Sequence, residues 1–179
     1  EKWDEEETEV KEVYKHPDYV SWDNDKFQGD AYPVYSWGAN VAEVEVDPVT
    51  CELRVEKLWA VFDIGVALDE DIIRGQMQGG MVQGLGYAYL EKLTNEKGKL
   101  DQLNLTDYTI PTSVDVPEIE CDFVENPYEF GPYGAKCAGE LPLSGVAPAL
   151  AEAAEQALEI KAGQIPMTPE YLKARKNED

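Results

Sequence analysis

The pattern of apolar and polar residues predicts a β-hairpin in the first half of the chain. Residues 41–46 are rich in valine, a β-branched residue typical of strands. The Asp-Pro-Val-Thr sequence of residues 47–50 supplies the chemistry of a turn, and residues 52–62 form the return strand. Farther along, residues 118–125 alternate acid and apolar side chains, which predicts another strand with one face exposed.

A different periodicity predicts a long helix over residues 69–90. Its acidic start is typical of a helix N-terminus. Five apolar residues recur at every fourth position and form a helical stripe: Ile73, Met77, Met81, Leu85 and Tyr89. The same segment contains five glycines, each of which costs roughly 1 kcal/mol relative to alanine inside a helix. Some other interaction made possible by these glycines must therefore offset their cost in helix stability.

Two explanations account for these glycines. They allow close packing against another backbone, or they allow close approach of a ligand. Helical periodicity places Gln76, Gly80 and Gln83 on one face. Two primary amides beside a bare stretch of backbone suit a flat, polar heterocycle, because an amide both donates and accepts hydrogen bonds. The residues alone favour neither explanation.

The glycine-rich segment of residues 131–145 is predicted to be an irregular loop. It has four glycines and two prolines, together with Lys136 and Glu140, and an alanine-rich helix follows from residue 147 to about Lys161, with Gly163 as its stop. The loop therefore presents its amides and these two charged side chains at a helix start, where the dipole favours negative charge. An anionic cofactor fits such a loop, and so does the alternative of a simple surface connector.

The remaining pattern predicts an α+β fold with three parts. Residues 1–37 form an acidic and aromatic arm, residues 38–163 form the α+β domain, and residues 164–179 form a charged tail. The turn sequence at residues 95–98 closes a second hairpin. The aromatic rings of the arm either dock on something larger or fill a core of this domain.

Composition narrows the classes of partner. The 179 residues carry a formal net charge of −22, which argues against nucleic acid or an anionic membrane as a partner. Three widely spaced cysteines indicate neither a disulfide framework nor a zinc site, so we expect a reducing cytoplasm. The one histidine, His16, excludes a histidine-rich metal site, and no apolar run reaches membrane-spanning length.

Three motifs together carry a resemblance to a known family. They are Phe-Asp-Ile-Gly at residues 62–65, Gly-Gln-Met-Gln-Gly-Gly-Met-Val-Gln-Gly-Leu-Gly at residues 75–86, and Gly-Ala-Lys-Cys-Ala-Gly-Glu at residues 134–140. In this order and spacing, the segment of residues 29–163 resembles the C-terminal part of the molybdenum-binding subunit of the xanthine dehydrogenase/aldehyde oxidase family. Cys137 departs from the glycine expected at its position in many members.

This resemblance implies a C-terminal molybdopterin-binding domain, in which two main helices pack on an antiparallel or mixed sheet of hairpins. Molybdenum is then held through the dithiolene of the pterin, without a metal ligand from the protein. Gln83 contacts the pterin, and Glu140 is the general base that takes a proton from the metal-bound hydroxyl. The full set of predicted cofactor-binding residues is Gln76, Gly80, Gln83, Gly84, Ala135, Lys136 and Cys137.

The implied activity is oxidative hydroxylation of an N-heterocycle, purine-like for example, or of an aldehyde carbon. The expected partners are the small-molecule substrate, the remaining part of the molybdenum subunit, and iron–sulfur and flavin (FAD) domains or subunits, with a homo-oligomer as a further option. Because part of the pocket comes from preceding sequence in that family, the isolated chain is expected to be inactive. The alternative is a non-catalytic interaction or assembly fragment with the same fold.

Overall fold

The structure, a computed structural model, describes residues 10–15 and 17–178 and divides the chain into two units. The first unit is Glu1–Tyr35 and the second is Ser36–Asp179. Most of the acidic segment of the predicted arm, and the single histidine His16, lie outside the described residues.

The described part of the first unit contains a small antiparallel hairpin. Its strands are β1 (Ser21–Asp23) and β2 (Gln28–Asp30). The rings of Trp22 and Phe27 meet edge to face with their centroids 6.3 Å apart. Both rings are exposed, as are two tyrosines of the same unit, Tyr32 and Tyr35. The alternative in which the aromatic rings of the arm fill a core is therefore wrong for these four residues.

A three-stranded mixed sheet forms the frame of the second unit. Strands β3 (Trp37–Val46) and β4 (Leu53–Asp63) pair antiparallel, which confirms the predicted hairpin. Its turn is held by Asp47 Oδ1, which accepts from the amides of Val49 at 2.8 Å and Thr50 at 2.7 Å.

The other predicted strands are also present. Strands β5 (Asn95–Glu96) and β6 (Lys99–Leu100) form the second predicted hairpin. Strand β7 (Glu118–Val124) lies parallel to β4, which gives the strand order β3–β4–β7. Pattern had predicted this strand but not its parallel pairing, which brings the carboxyl ends of β4 and β7 to one edge of the sheet.

Two long helices cover one face of this sheet. Helix α1 (Glu70–Tyr89) begins after Asp69, whose side chain accepts from the Ile72 amide at 3.1 Å. The alanine-rich helix, which we number α3 (Val146–Leu158), packs on β3 and on α1. The core between the helices and the sheet includes the following fully buried residues: Leu58, Phe62, Met77, Met81, Leu85 and Leu150. This arrangement confirms the predicted α+β class, with two main helices on a mixed sheet.

The segment predicted to be irregular contains two short helical turns. One is a 3₁₀ turn at Pro132–Gly134, and the other is helix α2 (Leu141–Ser144). The prediction of an irregular loop is wrong there because proline is tolerated in the first turn of a helix, where its missing N–H has no partner to lose.

The C-terminal boundaries also differ from the prediction. Helix α3 ends at Leu158, before Lys161, because Glu159 adopts a left-handed conformation with φ of 56°. The predicted tail contains helix α4 (Pro169–Lys176), which is capped by Thr168. Leu172 is fully buried, so the core of the second unit extends beyond residue 163. None of the helices in the described part of the chain is both long and apolar enough to cross a membrane.

Candidate functional site

The glycine-rich segment is hydrogen-bonded to the carboxyl end of β4. The Lys136 amide donates to the Ile64 carbonyl at 2.8 Å, and the Val66 amide donates to the Gly134 carbonyl at 3.0 Å. Gly65 forms an antiparallel bridge with Ala135 and has φ of +73°. A Cβ atom on Gly65 would lie 2.3 Å from the Gly134 carbonyl oxygen, so the close approach of the two segments requires glycine.

A buried ion pair joins the same two segments through their side chains. Lys136 Nζ lies 2.9 Å from Asp63 Oδ1 and 2.7 Å from Asp63 Oδ2. The two side chains are only 4% and 9% exposed, respectively. Lys136 is therefore neutralised inside the protein. Its ammonium group is paired with Asp63, and the contact of Lys136 with a cofactor stays a prediction.

Asp63 accepts two further hydrogen bonds. The Gly65 amide donates to Oδ1 at 3.1 Å, and Asn126 Nδ2 donates to Oδ2 at 2.8 Å. Burial acts to raise the pKa of Asp63, but the hydrogen bonds from Lys136, Asn126 and Gly65 outweigh it and hold the pKa below its ordinary value. The carboxylate is therefore charged at neutral pH and satisfied on both oxygens.

Helix α1 supports the other end of the glycine-rich segment. Gln76 Nε2 donates to the Gly139 carbonyl at 3.0 Å. Gly80 packs against Pro142, since a Cβ atom on it would lie 2.8 Å from the proline Cβ. Gly84 packs in the same way against Leu143, whose carbonyl oxygen would lie 2.7 Å from an added Cβ. The packing alternative therefore accounts for Gly80 and Gly84, and contact of either glycine with a ligand stays a prediction.

Two of the other glycines in α1 have no such neighbour. A Cβ atom on Gly75 or Gly79 would meet nothing within 4 Å among the atoms that the structure describes. These two glycines lie on an open face of the helix. Packing inside this chain therefore does not explain them.

Glu140, the predicted general base, is the residue immediately before α2. Its carboxylate is exposed and makes no capping hydrogen bond to the short helix. The segment that carries Glu140 is fixed on both sides, by the contact between Gln76 and Gly139 before it and by Pro142 under Gly80 after it. A free carboxylate on a supported backbone is available to accept a proton.

The other predicted residues lie around this support. The exposed side chain of Gln83 follows Gly80 on α1 by nearly one turn. Ala135 is half-buried beside Gly65, and Cys137 is exposed, with its carbonyl accepting from Ser36 Oγ at 3.1 Å. The amides of residues 137–140 donate to no partner within the described chain. They are therefore unpaired within the described chain and can donate hydrogen bonds.

The residues that hold the buried side of the glycine-rich segment were not predicted from the sequence. Asp63 was visible only as part of the Phe-Asp-Ile-Gly motif, and no pattern paired it with Lys136 or Asn126. The available signal was a charged residue directly after the apolar run of residues 58–62, where burial demands a partner. No group of three or more His, Cys, Asp or Glu residues within residues 10–15 and 17–178 is arranged to hold a metal ion.

Comparison with known proteins places this geometry in a family context. The sequence model of the molybdopterin cofactor-binding domain family matches residues 1–117, which include α1 but not the segment with Lys136 and Glu140. The chain is 32% identical to the xanthine dehydrogenase molybdenum-binding subunit of Escherichia coli O157:H7, over 76% of this chain and 18% of that protein. It is 34% identical to the nicotine 6-hydroxylase large subunit of Paenarthrobacter nicotinovorans, over 85% of this chain and 18% of that protein.

Among solved structures, the aldehyde oxidoreductase from Desulfovibrio gigas is similar over 83% of this chain and 16% of its own length. Its TM-score is 0.77 and its sequence identity is 29%. The chain thus spans about 18% of the length of the curated relatives described above. The sequence match and the shared fold agree, and the chain belongs to the molybdopterin cofactor-binding domain family.

Proposed function

We propose that this chain is the part of a molybdenum hydroxylase that contacts the pterin through Gln83 and supplies Glu140 as general base. The supporting observation is the position of Glu140. Its carboxylate is exposed, makes no capping hydrogen bond, and follows a backbone carbonyl held by Gln76. Most of the other acids of this highly acidic chain lie on elements that carry none of the three family motifs.

The described residues fit a molybdopterin cofactor. The unpaired backbone amides of residues 137–140 are hydrogen-bond donors for its polar edges, and the exposed amide of Gln83 both donates and accepts. The side chain of Lys136 is buried behind this surface, where its charge is paired with that of Asp63. The contacts offered by this chain are therefore uncharged donors and acceptors. When bound, the cofactor supplies the two-electron oxidation.

In this proposal Glu140 holds and moves one proton. Its carboxylate takes the proton from the hydroxyl nucleophile, and the contact of Gln76 with the Gly139 carbonyl supports the backbone that carries it. The overall reaction converts a C–H bond and water into a C–OH bond, two electrons and two protons. The electrons pass to iron–sulfur and flavin centres on other domains or subunits. The substrate is an N-heterocycle or an aldehyde, in keeping with the names of the relatives.

The direct test is Glu140→Gln in the natural assembly that contains this chain. We expect turnover of the accepted substrate to fall by roughly 10²–10⁴-fold, as for loss of a general base, with molybdenum content unchanged. Xanthine and nicotine serve as N-heterocycle probes, and benzaldehyde serves as the aldehyde probe. Elemental analysis measures the metal, and retained turnover in the variant would refute the role of Glu140.

The matched control is Glu129→Gln, which makes the same acid-to-amide change at another exposed residue near the glycine-rich segment. It should leave both turnover and molybdenum content unchanged. If it lowers turnover as much as Glu140→Gln does, the cause is the loss of negative surface charge and not the loss of a general base.

The second candidate function, a non-catalytic assembly fragment, is favoured by the outer face of the sheet. Trp37 is 71% exposed, Val41 60% and Val61 44%, and all three project from the side opposite α1 and α3. An assembly fragment predicts that Gln83→Ala combined with Glu140→Gln leaves turnover of the assembly unchanged. Loss of turnover with intact assembly would exclude it.

A further inference from the structure

The buried pair of Asp63 and Lys136 lies under the candidate site without belonging to its exposed surface. The side chains of Asp63 and Lys136 are only 9% and 4% exposed, respectively. The two oxygens of Asp63 bind three separate parts of the chain: the amide of Gly65, the side chain of Asn126 after β7, and Lys136. One carboxylate therefore joins the end of β4, the segment after β7 and the glycine-rich segment.

The segment from Lys136 to Glu140 is short, and its other supports are single neutral hydrogen bonds. Ser36 Oγ donates to the Cys137 carbonyl at 3.1 Å, and Gln76 Nε2 donates to the Gly139 carbonyl at 3.0 Å. The charged pair is the strongest of these supports, because hydrogen bonds between ionised groups are about twice as strong as neutral ones. It is also the one most shielded from water.

Stability alone is a weak reason for such a pair. Removing two charges from water costs free energy, and replacing a buried pair by apolar residues of similar volume is often neutral or stabilising. Apolar residues, however, do not fix the orientation of their neighbours as hydrogen bonds do. Two oxygens that each receive defined donors set the position of the Lys136 side chain, and with it the backbone that leads to Glu140.

We propose that Asp63 and Lys136 are positioning residues that hold the Glu140 segment in register with the end of β4. This inference rests on the proposed function of Glu140. It predicts that stability and turnover change independently. Removing both charges leaves the fold stable but lowers turnover at each site that contains molybdenum. Neither residue contacts the substrate.

The experiment is the double variant Asp63→Asn with Lys136→Met in the natural assembly, assayed with the probe substrate that the wild type accepts. We expect a Tm close to that of the wild type, kcat per bound molybdenum lowered at least about tenfold, and KM changed less than about threefold. Hydrogen exchange gives a readout independent of turnover. The amides of Lys136 and Val66, which bond across the two segments, should exchange faster.

The matched control is Glu155→Gln with Lys161→Met. That pair is 2.6 Å apart, its carboxylate also accepts a backbone amide, and it lies at the end of α3 away from the glycine-rich segment. It should change neither kcat nor the exchange of Lys136 and Val66. If the first double variant does not fold, Asn126→Ser decides the question, because Asn126 is exposed and contributes one hydrogen bond. That variant should show smaller changes in the same direction.

The outcomes separate the two proposals. Unchanged exchange at Lys136 and Val66 overturns the positioning role, whatever happens to turnover. Faster exchange with kcat per molybdenum unchanged also overturns it, because the loosened segment then does not matter to the chemistry. Retained turnover in Glu140→Gln would refute the proposed function itself. Unchanged turnover in the double variant would then be expected, and only the exchange of Lys136 and Val66 would test the positioning role.

Discussion

Ion pairs lie at both ends of the parallel pairing between β4 and β7, and the two ends differ in their access to water. At one end Lys57 Nζ lies 2.8 Å from Glu118 and 2.5 Å from Glu120, whose side chains are 64% and 57% exposed. At the other end the side chains of Asp63 and Lys136 are 9% and 4% exposed. The distances are similar, so the pairs differ mainly in the exposure of their side chains to solvent.

This difference determines what each pair does. Water and salt screen the Lys57 cluster, so its loss costs little. The buried pair has no such substitute, because a single charge left behind has neither water nor a partner. The geometry of an ion pair therefore does not reveal its importance until burial is known. The same contrast between buried and open positions applies to the glycines of α1.

The largest expected effect is that of Asp63→Asn. The change leaves Lys136 buried beside a neutral amide, and we expect the free energy of unfolding to fall by roughly 3 kcal/mol. Urea unfolding of the chain measures it. Glu120→Gln is the matched control, and its effect on the same measurement should be near zero and should shrink further in salt. Equal effects of the two variants would remove the contrast.

The next effect is that of Gly84→Ala. Its Cβ atom would lie 2.7 Å from the Leu143 carbonyl oxygen and 2.8 Å from Val146 Cβ, so α1 and the start of α3 must separate. Overpacking of this kind costs about 1–3 kcal/mol. Thermal unfolding measures the loss. An alanine accepted there without loss of stability would show that the packing contact is not tight.

Gly79→Ala should act in the opposite direction. Gly79 lies inside α1, and an added Cβ atom would meet nothing within 4 Å in the described structure. Alanine is favoured over glycine in a helix interior by about 1 kcal/mol, so the chain should become more stable by about that amount. In the natural assembly, loss of molybdenum from this variant would instead indicate that a neighbouring domain or the cofactor approaches this open face.

Acid should also lower the stability of the protein. The folded-state pKa of Asp63 lies below its ordinary value, so its ionised form stabilises the fold. This contribution is fully present above the unfolded-state pKa and is lost as the pH falls through the folded-state pKa. Unfolding followed by urea from neutral to acidic pH should show this loss in the wild type. The double variant Asp63→Asn with Lys136→Met should lack that part of the dependence.

Much of this protein is determined by local sequence. The hairpin of β3 and β4 follows from a valine-rich run and an Asp-Pro turn, and α1 follows from an apolar stripe with acids at its start. These elements depend on neighbours in sequence, and their residues carry that information locally. The three motifs also carried the resemblance to the family that the sequence comparison shows.

Other features arise only when distant segments meet. The parallel pairing of β4 with β7 brings Asn126 to Asp63 across the sheet edge, and the same edge receives Lys136. Whether a lysine faces a ligand or a buried aspartate depends on which side of its backbone is covered, and no local pattern specifies that. The choice between packing and ligand contact for Gly80 has the same origin, because only the tertiary structure brought Pro142 against it. Burial is a property of the assembled chain, and in this protein burial decides which charges and glycines matter.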